Sequence, residues 1–188
     1  MRIISGYKKG KKLYSFKGYK IRPTSDKVKE SVFNILGDVT GTQVLDLFCG
    51  SGTLGLEALS RGAASGTFID KDSVAVDLVR KNIKVCEFKN YSQVIKCDVF
   101  NWIAKTAAKN KNNCNYNLVF ADPPYKQGYV RKLLNDNQLI KLVDPMGLFI
   151  VECSEEEVDD VESTRWNKVK IKNYGNTVIA LLQPDRSE

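Results

Sequence analysis

The chain has 188 residues, 43% of them hydrophobic, and this length and composition predict one domain, or one domain with a small appendage. Its five cysteines have no close spacing and it contains no histidine, so we expect free thiols, no metal site and no catalysis by an imidazole base. No apolar run is long enough to span a membrane, and no apolar stretch follows the basic N-terminus, so we expect a cytoplasmic protein without a membrane partner.

The positive charge is concentrated at the N-terminus. The formal net charge is +7, and residues 1–25 contain eight lysine or arginine residues and no acid, which leaves 21 basic and 22 acidic residues elsewhere. Aromatic residues are interleaved with these basic ones, namely Tyr7, Tyr14, Phe16 and Tyr19. This composition favours a surface that binds a nucleic-acid backbone and stacks on bases. We therefore divide the chain into residues 1–21, a basic hairpin appendage with little expected part in folding, and residues 22–188, the main domain.

The N-terminal hairpin is predicted as two short strands, 3–7 and 12–21, and a helix follows that ends at Leu36. Thr24 or Ser25 can cap this helix with its side-chain hydroxyl, and apolar residues recur at helical spacing beyond them. From residue 43 onward, strands alternate with helices. The predicted strands are 43–48, 66–70, 92–98, 116–122 and 147–153, and the predicted helices lie near 53–61, 73–86, 99–109 and 126–142.

The C-terminal part of the chain contains two further strands. They are predicted near 166–172 and 177–182, and the turn "NYGN" between them permits an antiparallel pair. The acid-rich stretch 152–162 is expected to be solvated. Repeated strand–helix units predict an α/β, Rossmann-like fold, in which a mostly parallel sheet carries helices on both faces.

A glycine-rich turn joins the first of the alternating strands to its helix. The stretch "DLFCGSGTLG" contains Gly50, Gly52 and Gly55 in the spacing G-x-G-x-x-G, which lets the backbone turn tightly and approach a ligand. Asp70 ends the next strand, 20 residues after Gly50, where a carboxylate can accept hydrogen bonds from both ribose hydroxyls of a nucleoside. Together these features indicate a cofactor that carries adenosine.

Both dinucleotides and S-adenosylmethionine fit such a turn, and two further acids bear on the choice. Asp46, just before the turn, is poorly placed for a pyrophosphate, which requires N–H donors and positive potential. It suits the cationic groups of S-adenosylmethionine instead. Asp98 closes the third alternating strand and could accept a hydrogen bond from the adenine amino group. The acids therefore favour S-adenosylmethionine.

The stretch "LVFADPPY" ends the fourth alternating strand with Asp122, Pro123, Pro124 and Tyr125. The prolines stop the strand and fix the direction of the backbone carbonyls. A carboxylate and a carbonyl can each accept one N–H of an exocyclic amine and so stabilise the positive charge that develops when its nitrogen attacks a methyl group. The ring of Tyr125 offers a face on which an unpaired base can stack. These residues predict methylation of an amine on a nucleobase.

With these motifs in view, the chain resembles the bacterial RsmD family, which methylates N2 of a guanine in the 16S ribosomal RNA. The resemblance rests on "RPTSDKVKESVFNIL", "DLFCGSGTLGLEALSRGA" and "DPPY", and it extends to about residue 182. It implies a seven-stranded S-adenosylmethionine-dependent methyltransferase fold whose last strand is antiparallel, and a substrate within an assembling small ribosomal subunit. It also implies the following site residues: Asp46, Gly50, Gly52, Asp70 and Asp98 at the cofactor, Asp122 to Tyr125 at the guanine, and Arg22 to Thr24 closing over the site.

Three other functions stay open from the sequence. Adenine-N6 methyltransferases of DNA use a similar tetrapeptide, although only about 25 residues outside the core are available here to recognise a target. Glutamine methyltransferases of release factors resemble an Asn-Pro-Pro-Tyr version of it. A catalytically silent RNA-binding assembly factor would not need Asp122 or the glycine-rich turn.

Overall fold

The computed structural model describes residues 1–16, 26–109, 116–158, 161 and 165–185. Its helices are α1 (Asp26–Leu36), α2 (Thr53–Ser60), α3 (Ser73–Val85), α4 (Val99–Lys109), α5 (Tyr129–Leu134) and α6 (Asn137–Leu142). Its strands are β1 (Gln43–Leu47), β2 (Ser65–Asp70), β3 (Ser92–Lys96), β4 (Tyr116–Ala121), β5 (Val143–Ser154), β6 (Trp166–Tyr174) and β7 (Thr177–Pro184). They form the predicted fold class, a seven-stranded mixed sheet, and the chain divides into two compact units, residues 1–98 and 99–188.

The first unit is built on three parallel strands in the order β3-β2-β1. Val44, Leu45 and Leu47 are fully buried, as expected for a parallel strand covered on both faces. β1 ends at Leu47, one residue earlier than predicted, because Phe48 has φ 54 and cannot continue an extended strand. β3 ends at Lys96, so Asp98 follows the strand instead of closing it.

The second unit contains four strands in the order β4-β5-β7-β6. β4 and β5 are parallel, whereas β7 is antiparallel to both of its neighbours, which confirms the predicted antiparallel last strand. The single helix predicted near 126–142 is wrong, because α5 and α6 are separate. Asp136 causes the break, since its carboxylate caps α6 by accepting hydrogen bonds from the N–H groups of Gln138 and Leu139.

The acid-rich stretch is only partly solvated. Glu152 and Glu157 are buried, at 6% and 7% exposure, whereas Glu155 and Glu156 are exposed. The expectation that the whole stretch is solvated is therefore wrong over its described residues, which do not include 159–160 and 162–164. None of the helices in the described parts of the chain combines the length and the hydrophobicity that crossing a bilayer requires.

The N-terminal segment forms a short antiparallel contact with itself. The N–H of Ile3 donates to the carbonyl of Lys11 at 3.0 Å, and the N–H of Leu13 donates to that of Met1 at 3.1 Å. Within residues 1–16, the ladder pairing is limited to an isolated bridge between Arg2 and Lys12. The two predicted strands are not confirmed, and residues 17–21 of the second lie outside the described residues.

This segment is anchored on helix α2. The buried carboxylate of Glu57 accepts hydrogen bonds from the N–H groups of Ile4 and Ser5, at 2.7 and 3.0 Å. A Cβ atom at Gly6 would lie 1.7 Å from the carbonyl oxygen of Ser60, so only glycine fits against the helix there. Ile3 is fully buried as well. The expectation that the segment takes little part in folding is therefore wrong.

Candidate active site

The glycine-rich turn has a left-handed backbone at several positions. Phe48, Gly50 and Gly52 have φ values of 54, 53 and 76. A Cβ atom at Gly52 would lie 2.4 Å from Cγ2 of Val79, so that position requires glycine. The space beside Gly50 is open, since a Cβ atom there would meet nothing closer than 3.9 Å. A left-handed glycine beside open space is typical of a place where a ligand approaches the main chain.

Asp70 joins the end of β2 to this turn. One carboxylate oxygen, Oδ2, accepts a hydrogen bond from the N–H of Gly50 at 3.0 Å, and the other, Oδ1, accepts from the N–H of Asp72 at 2.9 Å. Each carboxylate oxygen can accept more than one hydrogen bond. Asp70 can therefore hold the turn in place and still accept from the hydroxyls of a nucleoside.

Asp46 is a buried acid beneath the start of α2. Its side chain is 4% exposed, and its Oδ2 atom accepts a hydrogen bond from the N–H of Gly55 at 3.0 Å. Burial raises the pKa of Asp46 to about 8. The hydrogen bond from the N–H of Gly55 lowers this pKa, and the negative charge of Asp70 raises it further. A cationic ligand would relieve this destabilised charge. The chemistry of the two acids thus fits a nucleoside that carries positive charge.

Asp98 lies at the same edge of the first unit. Lys96 of β3 is in register with Asp70 of β2, and the N–H of Cys97 donates to the carbonyl of Asp70 at 2.9 Å. The structure therefore brings the ends of β2 and β3 together, with Asp98 half-buried two residues beyond β3. Arg22 and Thr24 lie outside the described residues.

Asn82 is a residue of this region that sequence reasoning missed. It is buried on α3, where its side-chain amide bonds both the N–H and the carbonyl of Tyr14 and donates to the carbonyl of Ser51 at 2.9 Å. It thereby ties the N-terminal segment to the glycine-rich turn. A polar residue beside Ile83 on the apolar face of the helix was the available signal.

The Asp-Pro-Pro-Tyr loop belongs to the second unit. β4 ends at Ala121, and Asp122 follows it half-buried, with Pro123 buried and Pro124 exposed. Tyr125 is 38% exposed. The strand is thus one residue shorter than predicted, and the loop begins with Asp122 directly after β4.

The hydroxyl of Tyr125 is held by two other strands. It donates a hydrogen bond of 2.6 Å to Oε1 of Glu152 on β5 and lies 3.2 Å from Oγ1 of Thr177 on β7. Burial raises the pKa of Tyr125, and the hydrogen bond to Glu152 raises it further. Sequence reasoning missed Glu152 and Thr177, because its only signal for the first was an acid within an apolar strand.

Comparison with known proteins places the chain in a family. Residues 1–183 match the family model described as "Conserved hypothetical protein 95". Among curated proteins, "Ribosomal RNA small subunit methyltransferase D" of Escherichia coli K12 is 32% identical, over 97% of this chain and 89% of that protein. The chain belongs to the RsmD family. This confirms the predicted family.

Two further matches agree with membership of the RsmD family. "Putative rRNA methyltransferase YlbH" of Bacillus subtilis is 37% identical over 97% of this chain and 98% of that protein. The solved structure "Putative methyltransferase yhhF from Escherichia coli" has a TM-score of 0.76 and 31% identity, and the match covers 98% of each chain. The predicted methyltransferase fold is therefore confirmed as well.

Proposed function

We propose that this protein transfers a methyl group from S-adenosylmethionine to the N2 amine of a guanine in 16S ribosomal RNA, within an assembling small subunit. One observation carries the proposal: an intact Asp-Pro-Pro-Tyr loop follows β4 in a chain that matches a small-subunit RNA methyltransferase over nearly its full length. Neither the DNA methyltransferase, nor the glutamine methyltransferase, nor the silent assembly factor is favoured by a specific feature of the structure.

The first unit supplies the groups that would hold the cofactor. The open space beside Gly50 admits the ligand, and Gly52 lets the turn pack closely against α3. Asp70 accepts from the ribose, Asp46 faces positive charge and Asp98 accepts from the adenine amine. By resemblance, Arg22 and Thr24 belong to the same set. The cofactor supplies an electrophilic methyl group on its sulfonium.

The second unit supplies the groups for the guanine. The carboxylate of Asp122 and the carbonyl of Pro123 each accept one N–H of the amine, which frees the nitrogen lone pair from the ring and stabilises the charge that develops on nitrogen. The ring of Tyr125 stacks on the base. The methylated aminium then loses a proton to Asp122 or to water, so no histidine is needed.

Cofactor affinity should depend on pH through Asp46. Because its pKa is raised to about 8, the free protein holds a proton there at neutral pH, and binding of a cation releases it. Affinity for S-adenosylmethionine should therefore rise with pH, by up to about tenfold per unit below pH 8. Calorimetry between pH 6 and 7.5 measures this, with Asp46→Asn as the control that should lose the dependence. Equal slopes for the wild type and the variant would remove Asp46 from contact with the cation.

The basic N-terminal segment is proposed to contact the RNA backbone. Lys9, Lys11 and Lys12 are exposed, whereas Lys8 forms an ion pair with Glu87. Each lysine that neutralises a phosphate releases counterions. Replacing the three exposed lysines by serine should weaken RNA binding and flatten its salt dependence by about 2 units of slope. Thermal stability should change little, because the backbone of the segment makes its contacts with α2.

Filter binding to ribosomal RNA at several salt concentrations measures this effect. The matched control removes the same charge from β6, with Lys168, Lys170 and Lys172 all replaced by serine. An equal loss of RNA affinity in both variants would show that the effect comes from the net charge of the protein and not from the N-terminal segment. An unchanged slope in the N-terminal variant would exclude the segment from the RNA interface.

The proposed activity can be tested with the purified protein and methyl-labelled S-adenosylmethionine. Candidate acceptors are 16S ribosomal RNA, partly assembled small subunits, DNA and a release factor. We expect N2-methylguanosine in the RNA, with more transfer to assembling subunits than to naked RNA. Transfer to adenine in DNA or to glutamine would support the corresponding alternative, and no transfer to any acceptor would support the silent assembly factor.

A further inference from the structure

The acid-rich segment at the end of β5 contacts Tyr125, the last residue of the Asp-Pro-Pro-Tyr loop, and Lys126, which follows it. Glu152 accepts the hydrogen bond from the hydroxyl of Tyr125 at 2.6 Å. Glu157 accepts from the backbone N–H of Lys126 at 3.1 Å. Glu155 and Glu156, which lie between them in the sequence, are exposed, and Glu156 forms a surface ion pair with the side chain of Lys126. Among the described acids of the segment, the buried ones thus bond the hydroxyl of Tyr125 and the backbone of Lys126.

The register of the sheet explains why three polar groups converge there. Ser154 of β5 pairs with Thr177 of β7, and Glu152 pairs with Ile179. Directly opposed residues of antiparallel strands point to the same face, as do residues two apart on one strand. Glu152, Ser154 and Thr177 therefore share a face, and the hydroxyl of Tyr125 bonds two of them.

Glu157 holds the backbone of the next residue, Lys126. Ser154 and Glu157 form a capping box, in which the Glu157 carboxylate accepts from the N–H and the hydroxyl of Ser154. The other oxygen of that carboxylate accepts from Lys126, whose φ of 59 is unusual for a residue with a side chain. Strained backbones persist where surrounding contacts determine them, and such strain is common at ligand sites.

We propose that Glu152 and Thr177 form a tyrosine brace, a pair of positioning residues that set the orientation of the Tyr125 ring and thereby place the target guanine. The inference rests on the proposed function, in which Tyr125 stacks on the base. A half-exposed tyrosine without a bonded hydroxyl would sample several rotamers. Because its hydroxyl is held at the buried end, the ring presents one orientation to the base. The side chain is then already ordered before the RNA binds, so binding does not lose free energy to ordering it.

The tyrosine hydroxyl stays a hydrogen-bond donor in the brace, because the raised pKa of Tyr125 keeps it protonated. Glu152, which accepts this short hydrogen bond, is buried at 6% exposure. An apolar residue would suffice if this position only filled the sheet, because Ile150 and Ile179 on the same face are apolar and buried.

Single-turnover methylation of ribosomal RNA by a set of variants tests the brace. Tyr125→Phe removes only the hydroxyl and should lower the rate about tenfold, a loss comparable to that of one hydrogen bond. Glu152→Gln should give a similar loss, and the double variant should lose no more than either single one, because both changes break the same contact. Glu155→Gln, an exposed acid of the same segment, is the matched control and should retain the wild-type rate.

Two further measurements separate positioning from general destabilisation. Affinity for S-adenosylhomocysteine should be the same in Tyr125→Phe and in the wild type, and the melting temperature should fall only as far as the loss of one hydrogen bond requires. A wild-type rate for Tyr125→Phe, or additive losses in the double variant, would overturn the brace. Should Glu152→Gln fail to fold, Tyr125→Phe still decides, because its hydroxyl lies on a partly exposed loop.

Tyr125→Ala distinguishes failure of the brace from failure of the proposed function. A large loss in Tyr125→Ala together with full activity in Tyr125→Phe would leave the stacking role intact and refute the brace. Full activity in Tyr125→Ala would refute the stacking role itself, and with it the premise of the brace.

Discussion

Replacing Asp122 by asparagine is expected to lower the rate of methyl transfer by about 10²–10³-fold, because a preorganised partner of the developing charge is lost. Asparagine retains the size of the side chain and one acceptor, but it lacks the negative charge that stabilises an aminium nitrogen. Asp122 directly follows β4, so its position is set by a buried strand and by the rigid Pro123 after it. Single-turnover assays with saturating cofactor measure the effect.

Affinity for S-adenosylhomocysteine should remain within a few-fold of the wild type in this variant, since Asp122 is assigned to the amine and not to the cofactor. Asp77→Asn, on the exposed face of α3, is the control for loss of one acidic charge and should have the wild-type rate. A wild-type rate for Asp122→Asn would remove Asp122 from the catalytic role. A parallel loss of cofactor binding would place it in the cofactor site instead.

Replacing Asp70 by alanine should weaken binding of S-adenosylhomocysteine by about 1–3 kcal/mol, through the loss of charge-assisted hydrogen bonds to the ribose. The structure adds a second consequence. Because the carboxylate of Asp70 also accepts from the N–H of Gly50, the glycine-rich turn loses its tie to β2, and the melting temperature should fall as well.

Asp72→Ala is the matched control for this second consequence. Asp72 caps α3 by accepting from the N–H of Val74, so its loss should cost about 1 kcal/mol of stability without a direct effect on the cofactor. Calorimetry and thermal melts of both variants separate the two effects. If Asp70→Ala binds as tightly as the wild type, Asp70 is only a structural acceptor for the turn.

The parts of the fold that could be predicted are those encoded by local patterns. The apolar run of β1 and the glycines at 50 and 52 are adjacent in sequence, and the structure places the strand and the turn there. Asp70 ends β2 and Asp98 follows the neighbouring parallel strand β3, so topology alone brings them to one edge. The predicted end of β1 is wrong by one residue, at Phe48, because the periodicity of apolar residues does not locate strand ends that finely.

The contacts that sequence reasoning missed join residues far apart in the chain. Asn82 bonds Tyr14 across 68 positions, and Glu152 bonds Tyr125 across 27. Composition alone predicts that an acid next to other acids is solvated. Glu152 is buried instead, because β5 pairs with β7 at that position. Charge likewise concealed the packing of the N-terminal segment, where the buried Ile3 lies among basic residues.

The most direct measurement is a map of N2-methylguanosine in the 16S ribosomal RNA of a strain that lacks this protein. We predict that one such nucleotide loses its methyl group, that the wild-type gene restores it, and that the Asp122→Asn variant does not, although it is produced at the same level. An unchanged set of N2-methylguanosines in the deletion strain would contradict the proposed function.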